Sequence, residues 1–448
     1  MQNYATNEPV YALATSYSPS ALAVIRASGD GVLSLFAPFF KGKLLSAMTN
    51  QAVHGYIVDK NGKKVDEVVV IRYDKGHGYT SEEAFEIMSH GSLAVIRAIS
   101  SVLESAGIRK ALKGEFTYRA FMHGRMDLTE AEAVEEIVKA RTEKASSSAL
   151  DRLCGSIRKE AESIKNQLVE ILASLEVHLD YGEDEIIEPW VFPRENVSRI
   201  IRRLEMIRDT YSASRLYSEG ASVVLAGSTN AGKSSLFNAL LKENRAIVSS
   251  IAGTTRDYIE AQADIEGIPV RLFDTAGLRN SFDEIEAEGI KRSESLIDSA
   301  DLVLFILDGE QNIEEARAHL SDFGGKKILF LRSKSDMENH LSQTKSNEIW
   351  FSSKTGEGLG DVAKAIAKKL TEDIDVVSDV PEIDSERQRD MISRAIDALK
   401  DAQKAEGMSV DIIALYFQSA ISSLSFLTGE VTNEDILDVL FSSFCLGK

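Results

Sequence analysis

The stretch GSTNAGKSS, residues 227–235, constrains the fold more than any other part of this chain of 448 residues. It follows the apolar run ASVVLA and precedes a segment with helical spacing. In that context the pattern G-x-x-x-x-G-K-[ST] cradles phosphate groups. Glycines let backbone N–H groups turn towards the phosphates, Lys233 reaches the outer ones, and Ser234 can ligate Mg²⁺. The stretch therefore predicts a nucleotide-binding α/β domain.

Four further segments follow predicted strands in the order expected of a GTPase domain. AGTTRD supplies Thr255 as a second hydroxyl for Mg²⁺, and DTAG begins with Asp274, which is placed for the Mg²⁺ shell. SKSD contains Asp336, whose carboxylate can accept hydrogen bonds from N1–H and the 2-amino group of guanine. SSK begins at Ser352 and would back the base. The residues predicted to bind GTP are Asn230, Ala231, Gly232, Lys233, Ser234, Ser235, Ser249, Ser250, Ile251, Ala252, Gly253, Thr254, Thr255, Asp274, Thr275, Ala276, Gly277, Ser333, Lys334, Asp336, Ser352, Ser353 and Lys354.

The catalytic group is less obvious from the sequence. Many small GTPases place a glutamine after the DTAG-type glycine to orient the attacking water, and here that position is Leu278. No arginine finger is evident in the chain. Asn230 is the candidate replacement, because its side-chain oxygen can ligate a monovalent cation beside the phosphates. Packing of the loop is an equally good interpretation of Asn230.

Apolar periodicity divides the chain into four parts. Residues 1–118 predict an α+β domain, and residues 217–374 predict a mostly parallel sheet with helices on both faces. Residues 119–216 and 375–448 have helical spacing, so the α/β domain is predicted to be inserted into one all-α domain. In residues 149–179 the apolar positions predict one long amphipathic helix.

Composition limits the possible partners and locations. The net charge of −19 argues against a broad cationic surface for nucleic acid, so any RNA contact is expected to be local or shared with a partner. The two cysteines, Cys154 and Cys445, argue against a disulfide framework or a zinc site. No signal peptide and no apolar run of about 18 residues is visible, which predicts a cytoplasmic protein without membrane association.

Several longer segments carry a family resemblance. NAGKSS, IAGTTRD and DTAGLR, the segment GEFTYRAFMHGRMDLTEAEAV at 114–134, and the terminal GEVTNEDILDVLFSSFCLGK resemble the MnmE (TrmE) family of tRNA-modification GTPases, a TrmE-Era-EngA-like group. The resemblance covers essentially the whole chain. It implies an N-terminal folate-binding domain that dimerises, and a helical domain with an inserted Ras-like, doubly wound P-loop GTPase domain. It also implies that the GTPase domains pair when K⁺ and GTP are present.

The resemblance also implies particular site residues. K⁺ would be held by Asn230, Ser249, Ile251 and Thr254. The hydrolytic water would be oriented by Glu286, which acts in catalysis with Asn230 and Lys233. A tetrahydrofolate derivative, 5,10-methylene- or 5-formyl-, would contact Arg26, Glu86, Arg125 and Lys448. Cys445 is a possible one-carbon site, and a buried inert thiol is the equal alternative.

The family acts with the flavoprotein MnmG (GidA), which implies a heterotetramer that works on tRNA. Together they place a (carboxymethyl)aminomethyl group on C5 of the wobble uridine. This chain departs from the family in TSEE at 80–83, in the run SPSALAVIRASG at 18–29, and in Ser333, where an asparagine is usual. The rival interpretations are a regulatory or ribosome-assembly GTPase without a one-carbon role, and a non-enzymatic scaffold.

Overall fold

A computed structural model describes most of the chain. The described residues are 4, 6–180, 190–227, 230–243, 259–274, 296–308, 327–337, 349–374, 379–432, 434–445 and 447. The chain divides into two compact units. The first unit comprises Met1–Glu135, Leu153–Trp190 and Gly407–Lys448, and the second comprises Glu136–Arg152 and Val191–Glu406. The helical part of the chain is thus shared between the two units, and the boundaries at 118, 216 and 374 stay predictions.

The strands of the described residues are β1 (Val10–Leu13), β2 (Ser20–Ser28), β3 (Phe40–Lys41), β4 (Ala52–Val58), β5 (Lys64–Tyr73), β6 (Ala84–Gly91), β7 (Arg109–Lys110), β8 (Ala221–Gly227), β9 (Ile259–Ile265), β10 (Ile268–Asp274), β11 (Leu302–Asp308), β12 (Ile328–Ser333) and β13 (Ile349–Trp350). The helices are α1 (Val32–Phe36), α2 (Leu93–Ser105), α3 (Glu115–Met122), α4 (Leu128–Lys139), α5 (Glu143–Leu153), α6 (Ser156–Asp180), α7 (Arg194–Asp209), α8 (Tyr211–Glu219), α9 (Lys233–Glu243), α10 (Leu359–Thr371), α11 (Glu386–Lys404), α12 (Val410–Thr428) and α13 (Glu434–Ser442), with a 3₁₀ turn at Ala37–Phe39.

The first unit contains a seven-stranded sheet in the order β3-β4-β5-β6-β2-β1-β7. Its pairs are antiparallel except β1 with β7. Helix α2 covers one face, because Ile96, Ile99 and Leu103 recur at helical spacing and are all buried against that sheet. The predicted α+β organisation of the N-terminal part is therefore present.

The second unit contains a six-stranded sheet in the order β13-β12-β11-β8-β10-β9. Only β9 is antiparallel to its neighbour, so the predicted mostly parallel sheet is confirmed. Successive residues of a strand point to opposite faces. Val223 and Leu225 accordingly join the core under α9 and α10, whereas Val224 and Ala226 join a second core on the other face. Both faces are covered, as a doubly wound sheet requires.

The prediction of one continuous helix across residues 149–179 is wrong. The structure has two helices, α5 and α6, separated at Cys154 and Gly155. Gly155 has φ 80°, a left-handed conformation that ends a helix and that glycine adopts without a β-carbon clash. The apolar spacing continues across the break, because Ala149 and Ile157 are both buried. Periodicity alone therefore could not locate the turn.

Helix α12 is long and apolar enough to cross a membrane by length and composition, with mean hydropathy 1.5. The expectation that no segment approaches this threshold is therefore too strong. The helix packs along α6, and 44% of its apolar stretch is buried inside the structure. Ile413, Phe417 and Leu424 are among its buried residues. A helix that packs in a protein core needs apolar residues and passes the same test of length and hydropathy. One such helix is therefore weak support for a membrane span.

Candidate functional site

The phosphate loop lies at the carboxyl end of β8 and leads directly into α9. Gly227 has φ 138°, and a β-carbon there would collide with the carbonyl oxygen of Ile306 on the neighbouring strand. Gly232 has φ 95°, also outside the range that other residues readily adopt. The Lys233 ammonium donates to the Gly227 carbonyl at 3.0 Å, so the lysine side chain folds back over the loop. Gly227, Gly232 and Lys233 thus have the conformations and the contact expected of a phosphate loop.

The predicted Mg²⁺ ligand Ser234 lies beside Asp274, the residue predicted to hold the Mg²⁺ shell. The Ser234 hydroxyl at the start of α9 donates to Oδ2 of Asp274, with 2.5 Å between the two oxygens. Asp274 ends β10, next to β8 in the sheet, and is 1% exposed. A hydroxyl and a carboxylate brought together at a phosphate loop are the hard oxygen donors that Mg²⁺ prefers. The residues present therefore fit this metal ion.

Asn230 lies in the same loop, and its backbone explains part of its identity. Its φ is 66° and the residue is exposed. Among residues other than glycine, asparagine is one of the few that adopt this left-handed conformation readily. Loop geometry therefore favours asparagine whether or not its side chain binds a cation, and both interpretations of Asn230 stay open.

The predicted guanine loop follows β12. The Ser352 hydroxyl donates to Oδ1 of Asp336 at 2.7 Å, and the same hydroxyl accepts from the backbone N–H groups of Lys354 and Thr355. The hydrogen bond from Ser352 is the main cause that lowers the pKa of Asp336 below its usual range. Asp336 is exposed, so its carboxylate is ionised and accessible to a purine edge. The hydrogen bond from Ser352 to Asp336 therefore joins the SKSD and SSK segments, which are separate in the sequence.

Ser333 occupies a different place from the other guanine-loop residues. It is 2% exposed, and its hydroxyl donates to the Leu307 carbonyl at 3.3 Å. A β-carbon built on Gly232 would lie 3.6 Å from the Ser333 Cβ, which is ordinary van der Waals contact. The serine therefore packs beneath the phosphate loop.

The first unit brings together two of the predicted folate residues. Arg26 on β2 and Glu86 on β6 are register partners, and their side chains pair at 3.2 Å. The Tyr73 hydroxyl donates to Glu86 at 3.3 Å, and nearby Glu86 is one reason, after burial, that the pKa of Tyr73 is raised. The resemblance assigned these two charges to one ligand, and the strand register places them opposite one another.

Aromatic rings surround the Arg26 guanidinium. Its central carbon lies 5.2 Å from the ring centroid of Tyr79 and 5.6 Å from that of Phe116. Burial raises the pKa of Tyr79, and the charges of Arg26 and Arg125 oppose the shift, so Arg125 belongs to the same neighbourhood. Within the described part of the chain, Arg26 Nε is buried without a hydrogen-bond partner. A buried orphan donor beside a carboxylate and two aromatic rings fits a flat heterocycle with a polar edge.

The remaining predicted residues divide into two groups. Cys445 is exposed, so the alternative of a buried thiol is wrong. The following predicted site residues lie outside the described residues: Ser249, Ser250, Ile251, Ala252, Gly253, Thr254, Thr255, Thr275, Ala276, Gly277, Glu286 and Lys448. Sequence reasoning missed Tyr73, Tyr79, Phe116 and Asp308, the last of which pairs with Lys334. Their only sequence signal was proximity to the ends of predicted strands and to the family segments.

The comparisons with known proteins agree with this arrangement. The profile described as "MnmE helical domain" matches residues 128–445, and that of "GTP-binding protein TrmE N-terminus" matches residues 9–125. The "tRNA modification GTPase MnmE" of Treponema denticola is 40% identical over 467 residues, covering 99% of each chain. The Aquifex aeolicus protein with the same description is 37% identical over 455 residues, covering 98% of this chain and 100% of that one.

Among solved structures, an Aquifex aeolicus Era variant bound to GDP and AlF₄⁻ is 20% identical, covers 40% of this chain and 66% of its own, and gives a TM-score of 0.26. That likeness is too low to carry an argument. The family assignment rests instead on the full-length relatives and the two profiles. The chain belongs to the MnmE family of tRNA-modification GTPases, and it is a GTP hydrolase that acts in tRNA modification.

Proposed function

We propose that this chain is a K⁺-activated GTPase that acts with an MnmG-type flavoprotein on tRNA. The pair adds a (carboxymethyl)aminomethyl group to C5 of the wobble uridine, with a tetrahydrofolate derivative as the one-carbon source. The observation that carries the proposal is the presence of two sites in one chain. One is the phosphate and guanine loop set of the second unit, and the other is the Arg26–Glu86 pair of the first.

The GTP half of the proposal follows from the edge of the parallel sheet. Lys233 places an ammonium where the outer phosphates of a nucleotide would lie, and Ser234 with Asp274 would hold Mg²⁺, which supplies charge stabilisation when bound. Asp336, kept ionised and aimed by Ser352, accepts the N1–H and 2-amino hydrogen bonds that distinguish guanine from adenine. Each role uses a side chain at the carboxyl end of a strand.

The hydrolytic half rests on Asn230 and on residues outside the described part of the chain. Asn230 presents an exposed amide oxygen at the phosphate loop, a donor that suits K⁺. The family resemblance adds Ser249, Ile251 and Thr254 to that set and assigns Glu286 to the attacking water. A cation there would occupy the place of an arginine finger's charge, which accelerates related reactions by roughly 10³–10⁵.

The folate half rests on the charges around Arg26. Glu86 can accept hydrogen bonds from the N–H and amino groups of a pterin edge, and Arg26 and Arg125 suit the carboxylates of a folate. Tyr79 and Phe116 provide aromatic surface beside the guanidinium. The orphan Nε of Arg26 then gains an acceptor when a ligand binds. A role of Cys445 or Lys448 at this site, a homodimer formed through the N-terminal part, and a cytoplasmic location belong to the same proposal.

The test is mass analysis of the nucleosides at the wobble position of tRNA from a strain that lacks this protein. We expect unmodified wobble uridine, restored by the wild-type gene. Complementation with Lys233→Ala should fail because phosphate binding is lost, and complementation with Glu86→Ala should fail because folate binding is lost. A nucleoside profile that does not change on deletion would overturn the proposal and favour a regulatory or ribosome-assembly GTPase.

A further inference from the structure

We propose that Asp308 is a positioning residue for guanine recognition. It anchors Lys334 and so holds the loop of residues 333–337 in the conformation that presents Asp336 to the base. This inference rests on the proposed GTP site and adds a residue that none of the sequence motifs contains.

The contact arises from the register of two parallel strands. Asp308 ends β11 and is the register partner of Ser333, which ends β12. Lys334 is the next residue, and its ammonium lies 2.8 Å from Oδ2 of Asp308. The two side chains are 36% and 39% exposed, so the pair lies at the rim of the site and not in the core. Loss of such a pair costs the fold little.

The backbone of Lys334 shows why an anchor matters at this position. Its φ is 65°, in the left-handed region that residues with a β-carbon disfavour. Conformations of this kind persist only where the surroundings over-determine them. The ion pair fixes the side chain of this residue, so it opposes relaxation of the loop towards an ordinary backbone conformation.

The opposite side of the loop is already anchored. The Ser335 N–H donates to the Phe351 carbonyl at 3.2 Å, and the Ser352 hydroxyl holds Asp336. On the β11 side, Ser333 contributes one longer hydrogen bond of 3.3 Å to the Leu307 carbonyl. Asp308 is therefore the charged anchor on that side, and its removal should let the guanine loop shift relative to β11.

The chain offers a matched control at the other end of the same strand. Lys327 directly precedes β12 and pairs with Asp373 at 2.8 Å, the distance found for Lys334 and Asp308. Asp373→Asn therefore removes an ion pair of the same length from the same domain, away from the nucleotide loops. The test compares Asp308→Asn with Asp373→Asn in the full chain by calorimetric titration with GTP, GDP and inosine triphosphate, which lacks the 2-amino group.

We expect Asp308→Asn to weaken GTP and GDP binding by about three- to tenfold, the effect of losing an exposed ion pair together with loop order. The preference for GTP over inosine triphosphate should shrink, because Asp336 then meets the 2-amino group less precisely. Hydrolysis at saturating GTP should be unchanged. Asp373→Asn should match the wild type in each measurement, and Asp308→Glu should recover part of the loss.

Equal GTP affinity and equal base preference in Asp308→Asn and Asp373→Asn would overturn the inference. Lys334→Gln gives a second measurement, because its effect should not add to that of Asp308→Asn if the two residues act as a pair. Failure of the guanine site itself is separable. Asp336→Asn should shift preference from GTP towards xanthosine triphosphate, and if it does not, the proposed site is wrong irrespective of Asp308.

Discussion

At the scale of single residues, Asn230 shows how one side chain can satisfy two demands. Its φ of 66° favours asparagine on backbone grounds, so replacement by alanine would combine loss of the amide with added strain. Asn230→Gly separates the two, because glycine adopts the left-handed conformation freely. The informative comparison is therefore between glycine and alanine at this position.

If Asn230 ligates K⁺, both Asn230→Gly and Asn230→Ala should abolish the acceleration of hydrolysis by K⁺ while GTP affinity is nearly kept, because the cation stabilises charge that develops in the transition state. Single-turnover hydrolysis at constant ionic strength, with K⁺ exchanged for Na⁺, measures this. K⁺ activation that survives in Asn230→Gly would return the residue to loop packing. In that case only Asn230→Ala should weaken nucleotide binding.

Glu86 allows a matched test of the folate pocket. Glu86→Ala removes the partner of Arg26 and should weaken binding of a reduced folate by about tenfold or more, the usual cost of losing charge-assisted hydrogen bonds. GTP binding should not change. The control is Glu67→Ala, which removes a carboxylate paired with His54 on the same sheet. Equal folate affinity in wild type and Glu86→Ala would remove Glu86 from the site.

At the scale of elements, the start of α4 is closed by reciprocal hydrogen bonds. Asp127 accepts from the Glu130 N–H at 2.7 Å, and the Asp127 N–H donates to the Glu130 carboxylate at 2.8 Å. This is a capping box, and it explains why the helix begins where it does. Burial raises the pKa of Asp127 from 3.8 to about 6, so the cap carries a carboxylate that is costly to ionise.

The raised pKa sets the sign of a pH effect. The folded state binds the Asp127 proton more tightly than the unfolded state, so this contribution to stability is complete below pH 3.8 and is lost as the pH rises through about 6. Asp127→Asn keeps a capping oxygen without the charge. The free energy of unfolding of this variant, relative to that of the wild type, should therefore increase by on the order of 1 kcal/mol as the pH rises from 5 to 8. Urea unfolding at both pH values measures this, and a difference independent of pH would contradict it.

The element scale also shows what could be predicted from sequence. The phosphate loop was predictable because its glycines, lysine and serine all fall within residues 227–234 and act through local backbone geometry. The break between α5 and α6 was not, because Gly155 interrupts a spacing that continues on both sides. Ser81 is a related case. This residue of the TSEE segment adopts φ 59°, a left-handed conformation that strains a residue with a β-carbon and that the sequence did not signal.

Contacts that depend on strand register could not be predicted from the sequence. Arg26 and Glu86 were assigned to one ligand by resemblance, but only the alignment of β2 with β6 makes them partners. Asp308 and Lys334 meet because β11 and β12 end level with one another, although 26 positions separate them along the chain. Hydrophobic patterns predict that a strand exists and which face it buries. They do not determine which residues of two strands lie opposite.

At the scale of the whole molecule, each proposed ligand belongs to one compact unit. The residues proposed for GTP lie in the second unit, and the Arg26–Glu86 pair lies in the first. A ligand stabilises the structure that binds it by RT ln(1 + [L]/Kd), about 2.7 kcal/mol at a hundredfold excess over Kd. If the units unfold in separate steps, each ligand should shift the unfolding of its own unit.

Scanning calorimetry of the full chain tests this with GDP and Mg²⁺, and then with 5-formyltetrahydrofolate. For units of this size each ligand should raise one transition by roughly 5–10 °C and leave the other in place. Lys233→Ala should remove only the GDP shift, because it loses the phosphate contact of the second unit. Glu86→Ala should remove only the folate shift. A single transition that both ligands raise would instead mean that the units unfold cooperatively, and the two variants would still identify which ligand each site binds.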